Sequence, residues 1–419
     1  GHRVHLALAV AWGFSFPMVM VPGAKDVFLA ALVAWSIARV VFGGVRYAWR
    51  PIFSMPITWF ITGWALWTCL SLAWSPESGW GLEELRAFRS FLIPISLFPV
   101  ILHYNRILSA FLIAIAIINL IQIAQSLGIA WIDPVRPNRY CAWIAPNPGG
   151  LLLAAAFVAH IAWFILDCRR GRAVLHIGGG VLAAIGLLLM VNRGAIVAVG
   201  VGAIVILAAG IILLPRARVA VLLAAIAMTI GMAMGLLLDN VAFDGRITAP
   251  MRRQAQSGFD DLANSDKFVG RPIYRRSVMY RVEVWKAALE AIGQRPIVGI
   301  GVGGVWHAFD AHPEFTANDR TAVDYIPVDG DHRHVHNTWL FIAVTTGLIG
   351  SLLMVLTIGS GLVAEARRAA ASHPIAFVGF GIVVTWMVGN VFDTLIISGS
   401  TSCLLILGLL PAWIPRSQD

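Results

Sequence analysis

Charged side chains are scarce in this 419-residue chain. They make up 13% of its residues, whereas hydrophobic residues make up 58%. A soluble globular domain carries charge on about a quarter of its residues, and a soluble fold of this length cannot hide so much apolar surface. The scarcity of charge therefore excludes an ordinary soluble enzyme and predicts a membrane protein.

Several signatures of soluble chemistry are also missing. The four cysteines, Cys69, Cys141, Cys168 and Cys403, are scattered and imply neither a disulfide framework nor a CxxC site. The sequence has no Walker motif, serine nucleophile elbow or HExxH helix. Its formal net charge is +9, but the basic residues lie mostly in short connectors between apolar runs. Nucleic acid is therefore not expected as a partner.

The sequence contains many long apolar runs. About 20 apolar residues cross the roughly 30 Å hydrocarbon core, and they must be helical because lipid-exposed backbone has to satisfy its own hydrogen bonds. The first run has no small-residue cleavage signature, so it is predicted to be a span. We predict an all-α polytopic membrane protein with about twelve transmembrane helices, near 4–21, 26–43, 57–75, 90–103, 107–127, 149–167, 174–192, 194–215, 219–238, 336–362, 374–392 and 394–414.

The basic residues orient these spans. Connectors on one side hold twelve arginines and lysines, and those on the other side hold six. By the positive-inside rule the richer side is cytoplasmic, so both termini are predicted to be cytoplasmic in a bacterial inner membrane. The chain then divides into transmembrane helices one to nine (1–238), a large periplasmic loop (239–335) and helices ten to twelve (336–419). Arg193 falls on the same side as this loop.

The loop contains one strong helix signal. Over 277–292 the apolar positions share one face, Arg281 and Trp285 lie on that face, and Gly293 is placed to end the helix. An arginine in an apolar stripe favours a functional role. A basic cluster of Arg271, Arg275 and Arg276 precedes this helix.

A glycine run follows the helix. Residues 299–304 hold four glycines, but no soluble strand precedes them, so they are not a dinucleotide fingerprint. The run predicts a flexible re-entry of the chain.

The densest polar stretch, residues 329–340, lies where the loop returns to the membrane. His336 and Asn337 open the tenth span, and an imidazole there can accept a proton at neutral pH. The alternative is a merely tolerated interfacial histidine, which is our interpretation of His332 and His334. The three histidines of this stretch, His332, His334 and His336, could also bind a divalent metal with Asp329 and Asp331, although their spacing matches no tight zinc pattern.

Two other arginines each have two interpretations. Arg193 opens a strongly apolar helix, where it could simply snorkel to the interface. An ionisable residue at a span is also a functional candidate, and its fork matches phosphate oxygens. Arg89 lies in the 76–89 connector beside two glutamates, which favours a paired structural charge over a substrate contact.

Together these residues resemble a known family. The resemblance lies in Asn192-Arg193-Gly194 opening a span, Arg281 with Trp285 in the loop, Pro296 followed by Gly299-Ile-Gly-Val-Gly303, and His336-Asn337-Thr-Trp-Leu340 leading to Thr346-Gly-Leu-Ile-Gly350. In order and spacing they look like the O-antigen ligase and polymerase superfamily. The resemblance covers about residues 180–355 and the helix count.

The resemblance implies an integral-membrane glycosyltransferase with a lipid-donor (GT-C type) fold. It would use an undecaprenyl-diphosphate-linked glycan at the periplasmic face, and in the ligases the acceptor is a sugar hydroxyl of the lipid A core. No metal, nucleotide or other cofactor is implied. The family's essential histidine carries over to His336, and its essential arginines to Arg193 and Arg281.

The expected mechanism uses these residues in named roles. Arg193 and Arg281 clamp the diphosphate, His336 acts as general base, and Asn337 orients a ligand. Direct attack would invert the anomeric centre. Four further arginines are candidate substrate contacts: Arg271, Arg275, Arg276 and Arg89.

Rival functions stay open on sequence alone. A polymerase that joins repeat units or a protein oligosaccharyltransferase would share this chemistry and differ in the acceptor. A small-anion transporter would favour charges near mid-membrane and related half-chain repeats, whereas the polar residues here cluster at one face. A non-catalytic scaffold with a sugar-binding loop is a third alternative.

Overall fold

The computed structural model describes residues 1–18, 23–43, 50–129, 146–167, 171–190, 192–228, 256, 277–305, 335–371 and 373–414. Over these ranges all regular structure is helical. Most of the predicted loop and residues 229–238 of the ninth span lie outside them. So do Arg271, Arg275 and Arg276, and the polar residues at 329–334.

Most of the described helices overlap the predicted spans, whereas Arg50–Phe53, Ser78–Ala87 and Ser277–Gln294 lie outside them. The described helices are α1 (His2–Ser15), α2 (Ala24–Phe42), α3 (Arg50–Phe53), α4 (Pro56–Leu70), α5 (Ser78–Ala87), α6 (Ile93–Leu97), α7 (Tyr104–Ser126), α8 (Pro146–Asp167), α9 (Ala173–Met190), α10 (Arg193–Leu213), α11 (Ser277–Gln294), α12 (Thr338–Ala371), α13 (Ala376–Gly389) and α14 (Gly399–Leu409). Residues 218–228 are also helical.

Six helical stretches in this part of the chain are long and apolar enough to cross a membrane. They are Pro56–Trp74, Ser78–Ser126, Asn147–Asp167, Ala173–Met190, Arg193–Leu213 and Thr338–Ala371. Two shorter apolar stretches, Ala376–Gly389 and Gly399–Trp413, accompany them. Over the described ranges the chain is therefore an all-α polytopic membrane protein.

Helix α8 lies at the centre of the bundle. It packs against α9, α10 and α13, and its small residues Ala154–Ala156 are fully buried. Small side chains let neighbouring helix backbones approach closely. On the outer helices apolar side chains stay exposed, including Val174 at 75% and Ile204 at 68%. A helix that is apolar all round is typical of a membrane span, so this surface faces lipid.

The predicted fourth span is short because much of it is 3₁₀-helix. It runs through Phe88–Leu92 (3₁₀), Ile93–Leu97 (α) and Phe98–His103 (3₁₀). Pro94 and Pro99 each lack the amide N–H that a continuous α-helix needs. A 3₁₀-helix rises about 2.0 Å per residue, against about 1.5 Å in an α-helix. These sixteen residues therefore reach about 30 Å, enough to cross the hydrocarbon core.

Helix α12 is kinked at Gly347. This residue has φ 66° and ψ −163°, values outside the helical region. The segment Pro296–Gly304, which we call the glycine segment, fits into the kink. Leu348 N–H donates to the Pro296 carbonyl (2.8 Å), and Ile300 N–H donates to the Val344 carbonyl (2.9 Å). Backbone groups that the kink removes from the helix are thus paired with another segment.

The glycine segment is packed rather than flexible, so that prediction is wrong. Gly299, Gly301 and Gly303 all have positive φ, which glycine adopts at little cost. Gly303 N–H donates to Glu84 Oε2 at 2.8 Å, and Val302 N–H donates to Ser71 Oγ at 3.2 Å. The segment is therefore held between α12 and the α4–α5 region.

Helix α11 joins this assembly from the loop. It continues past Gly293 to Gln294, because Gly293 does not adopt the left-handed conformation that ends a helix, and the first such glycine after it is Gly299. The Trp285 indole N–H donates to the Val335 carbonyl at 3.0 Å. Helix α11 is thereby fixed to the start of α12.

Candidate active site

His336 lies just before α12 in an unusual backbone conformation. Among the described non-glycine residues it alone has a positive φ, of 50°. Such a conformation costs about 1–3 kcal/mol and persists where surrounding structure imposes it. The ring Nδ1 lies 3.1 Å from Asp393 Oδ1, and the His336 side chain is 26% exposed. The strained backbone therefore presents a half-buried imidazole to a carboxylate.

Asp393 lies in the connector between α13 and α14. Burial acts to raise the pKa of its carboxyl, but the hydrogen bond and charge of His336 outweigh burial, helped by Thr394 N–H and Arg281, so the pKa is lowered. The group is then an anion at neutral pH, and His336 donates Nδ1–H to it. In that tautomer Nε2 is the basic ring nitrogen.

Buried hydrogen bonds join the His336 turn to this connector. Asn337 N–H donates to Thr394 Oγ1 at 3.1 Å, and Thr338 N–H donates to the Asn390 carbonyl at 2.8 Å. The Thr338 hydroxyl also donates to Asn390 Oδ1 at 2.5 Å. Because all these groups are buried, each lost partner would leave an unsatisfied polar atom. The network fixes His336 relative to Asp393.

The Asn337 side chain caps α12. Its Oδ1 accepts hydrogen bonds from Trp339 N–H (2.9 Å) and Leu340 N–H (3.1 Å), as an N-cap side chain does. Its amide oxygen therefore has a structural role, and the predicted ligand contact would have to use the amide nitrogen.

Arg281 and Arg193 complete the charged cluster. Burial lowers the pKa of Arg281, Asp393 raises it, and the charge of Arg193 lowers it, so these three groups lie within electrostatic range. A guanidinium stays cationic in proteins. Arg193 is the first residue of α10, whose N-cap Asn192 accepts from Ala195 N–H at 3.0 Å. Arg281 and His336, predicted from separate motifs, thus lie within electrostatic range of Asp393, and Arg193 lies within range of Arg281.

A pocket opens at this cluster. Its cavity volume is about 30 Å³, and it is lined by Asn147, Leu151, Asn192, Gly194, Ala195, Arg281, Gly389, Phe392, Asp393 and Leu395. The lining places the Arg281 guanidinium and the Asp393 carboxylate beside apolar side chains.

Other predicted residues do not join this cluster. Arg89 pairs instead with Asp26, with Nη2 2.6 Å from Oδ1, so it is a paired charge in a different pocket. No group of three or more potential metal ligands occurs among the described residues. Four candidate metal ligands lie outside the described ranges: Asp329, Asp331, His332 and His334.

Sequence analysis missed the partner of His336. Asn390, Asp393 and Thr394 interrupt the apolar stretch 374–414, and the predicted topology puts this break on the side of the loop. The available signal was this group of polar residues between two predicted spans. It lies on the membrane face that also carries the other polar motifs.

Residues 178–355 match a family model described as O-antigen ligase. Comparison with curated proteins finds no match at a significant level. The matched range contains Arg193, Arg281, the glycine segment and His336, whereas Asp393 lies beyond it. Residues 178–355 therefore form a domain similar to the O-antigen ligase family.

Proposed function

We propose that the protein transfers a glycan from undecaprenyl diphosphate to a sugar hydroxyl of the lipid A core. The proposal rests chiefly on the pairing of His336 with Asp393 near Arg281. His336, Arg281 and Arg193 all lie inside the range that matches the ligase family. The proposal includes a periplasmic active site, twelve spans with both termini cytoplasmic, and a GT-C type fold.

The donor is already activated, so the enzyme needs a base and charge stabilisation. The acceptor hydroxyl attacks the anomeric carbon, the bond to the diphosphate oxygen breaks, and that oxygen leaves with the electron pair. The hydroxyl proton passes to His336 Nε2, and Asp393 stabilises the imidazolium that forms. A single displacement of this kind inverts the anomeric centre.

The two arginines stabilise the leaving diphosphate. A guanidinium fork binds phosphate oxygens through two parallel hydrogen bonds, and Arg281 lines the pocket while Arg193 lies close to it. Charge stabilisation in a partly desolvated site is worth more than in water. This scheme gives the negative charge two cationic partners and requires no metal.

Polymerase and protein oligosaccharyltransferase activities are the nearest alternatives, since they use the same donor chemistry. A small-anion transporter is less well supported, because His336, Asp393, Arg281 and Arg193 gather at one end of the bundle rather than along a central path.

The decisive experiment supplies purified protein with undecaprenyl-diphosphate glycan and either lipid A core or further donor. We expect transfer to lipid A core, and loss of transfer in His336→Ala while the variant still inserts into the membrane. His103→Ala, outside the site and beside His2, is the matched control and should transfer normally. Chain extension on the donor would instead identify a polymerase, and full activity of His336→Ala would refute the mechanism.

A further inference from the structure

The start of α10 lies where several elements of the candidate site meet. Its N-cap Asn192 and two residues of its first turn, Gly194 and Ala195, line the same pocket as Arg281. Helix α10 packs against both α8 and α13. The position of Arg193, the first residue of α10, therefore depends on how this helix start fits its neighbours.

The Asn192 side chain lies against α8 at a position that holds a glycine. A Cβ atom added at Gly150 would lie 2.7 Å from Asn192 Nδ2 and 3.0 Å from Ala195 Cβ. The Asn192 amide cannot move aside without a cost, because its Oδ1 accepts from Ala195 N–H at 3.0 Å and so caps α10. Gly150 therefore provides the space that the capping amide occupies.

A second close contact joins this helix start to the connector between α13 and α14. A Cβ atom added at Gly194 would lie 2.9 Å from Phe392 Cβ, so a larger residue would push the connector away. Phe392 directly precedes Asp393. Arg193 stands in the sequence between Asn192, which contacts α8, and Gly194, which contacts the connector. Contacts on both sides of Arg193 thus fix its backbone.

We propose that Asn192 is a positioning residue that holds the Arg193 guanidinium beside Arg281 for diphosphate binding. The two arginines lie within electrostatic range of each other. Because like charges repel, the surrounding structure has to impose this proximity. A guanidinium fork also binds phosphate oxygens bidentately only in a matching orientation. The inference rests on the proposed function, in which both arginines bind the donor diphosphate.

The test measures the Kd of the purified full chain for undecaprenyl diphosphate, together with Tm. We expect Asn192→Ala to weaken binding about tenfold, because the cap and the orientation of Arg193 are both lost. Gly150→Ala should cause a similar loss, since its Cβ displaces the capping amide. Asn192→Ser keeps a capping oxygen and should bind within about threefold of the parent protein.

Asn105→Ala is the matched control. The Asn105 Oδ1 accepts from Arg106 N–H at 3.0 Å in the first turn of α7, outside the candidate site. The same amide is removed at another helix start, so binding should equal that of the parent protein. Weaker binding in Asn105→Ala, or a tenfold loss in Asn192→Ser, would overturn the proposal.

A double-mutant cycle separates the positioning of Arg193 from the stability of α10. In an Arg193→Gln background, Asn192→Ala should lower Tm but cause no further loss of binding, because the group that it positions is gone. An equal loss of binding in both backgrounds would overturn the proposal, as would normal binding by Asn192→Ala or Gly150→Ala. Gly150→Ala replaces Asn192→Ala in the cycle if the latter fails to fold.

Binding and transfer distinguish this inference from the proposed function. A parent protein that binds undecaprenyl diphosphate and shows the expected cycle, but transfers no glycan to lipid A core, would refute the proposed function and support the role of Asn192. A parent protein that transfers glycan while Asn192→Ala binds normally would refute only the role of Asn192. No binding by the parent protein would overturn both.

Discussion

The Trp285 indole N–H donates to the Val335 carbonyl at 3.0 Å, across 50 residues of sequence. Val335 directly precedes His336, and Trp285 lies one helical turn after Arg281 on α11. This one hydrogen bond therefore connects the helix that carries the proposed diphosphate clamp to the turn that carries the proposed base.

Trp285→Phe removes this hydrogen bond and keeps most of the ring packing. We expect a loss of about 1 kcal/mol of stability and a fall of about tenfold in kcat, since small displacements of reacting groups reduce rate strongly. Trp413→Phe is the control, because it loses an indole hydrogen bond of 2.9 Å to Thr58 outside the site. A similar fall in kcat for both variants would contradict a positioning role.

Asp393→Asn tests the partner of His336. The amide cannot stabilise an imidazolium as the carboxylate does and can hold the ring in the wrong tautomer, so we expect kcat to fall by about 10² to 10⁴. Steady-state transfer assays provide the measurement. Asp167→Asn makes the same change beside Arg172 and His176, outside the site, and should leave kcat unchanged. An Asp393→Asn enzyme with normal kcat would remove Asp393 from the mechanism.

Arg281→Lys keeps a positive charge but loses the planar fork. Because a lysine ammonium cannot bind phosphate oxygens bidentately, we expect kcat/KM for the donor to fall by about 10- to 100-fold, equivalent to about 1.4–2.7 kcal/mol. The Arg295→Lys control lies just beyond the same helix and is exposed. If Arg281→Lys had the same kcat/KM for the donor as the parent enzyme, a positive charge alone would suffice for diphosphate binding. The proposed bidentate clamp would then be refuted.

Gly347→Ala tests the kink in α12. A Cβ atom at this position would collide with the Ile297 carbonyl and the Gly299 amide nitrogen, and φ 66° disfavours any side chain. We expect a clear fall in Tm, reflecting about 1–3 kcal/mol of backbone strain plus the clash. Gly359→Ala in the same helix meets nothing within 4 Å and should be neutral or stabilising by up to about 1 kcal/mol. Equal Tm values for the two variants would contradict the packing described.

Local patterns predicted the helices well. The apolar stripe at 277–292 anticipated α11 and placed Arg281 on its inner face, because helical periodicity is a property of neighbouring residues. Hydropathy likewise located α7 to α10 within a few residues. The predicted fourth span, at 90–103, has fewer than the roughly 20 residues that an α-helical span needs. The larger rise per residue of a 3₁₀-helix, which lengthens it, is not visible in hydropathy.

Contacts between residues far apart in the sequence were not predicted. His336 and Asp393 are 57 residues apart, and no local pattern pairs them. The glycine segment resembled a flexible stretch because its partners, Val344 and Thr345 on α12 and Glu84 on α5, come from distant parts of the chain. Family resemblance assigned roles to Arg193 and Arg281, whereas the proximity of Arg281 to Asp393 required coordinates.

The glycine segment also determines which changes of loop length the protein can tolerate. Residues 306–334 are bounded by Val305 and Val335, which are both buried in the apolar core. The Val335 carbonyl also accepts the hydrogen bond of the Trp285 indole. Insertions or exchanges within 306–334 should therefore leave the positions of Arg281 and His336 unchanged.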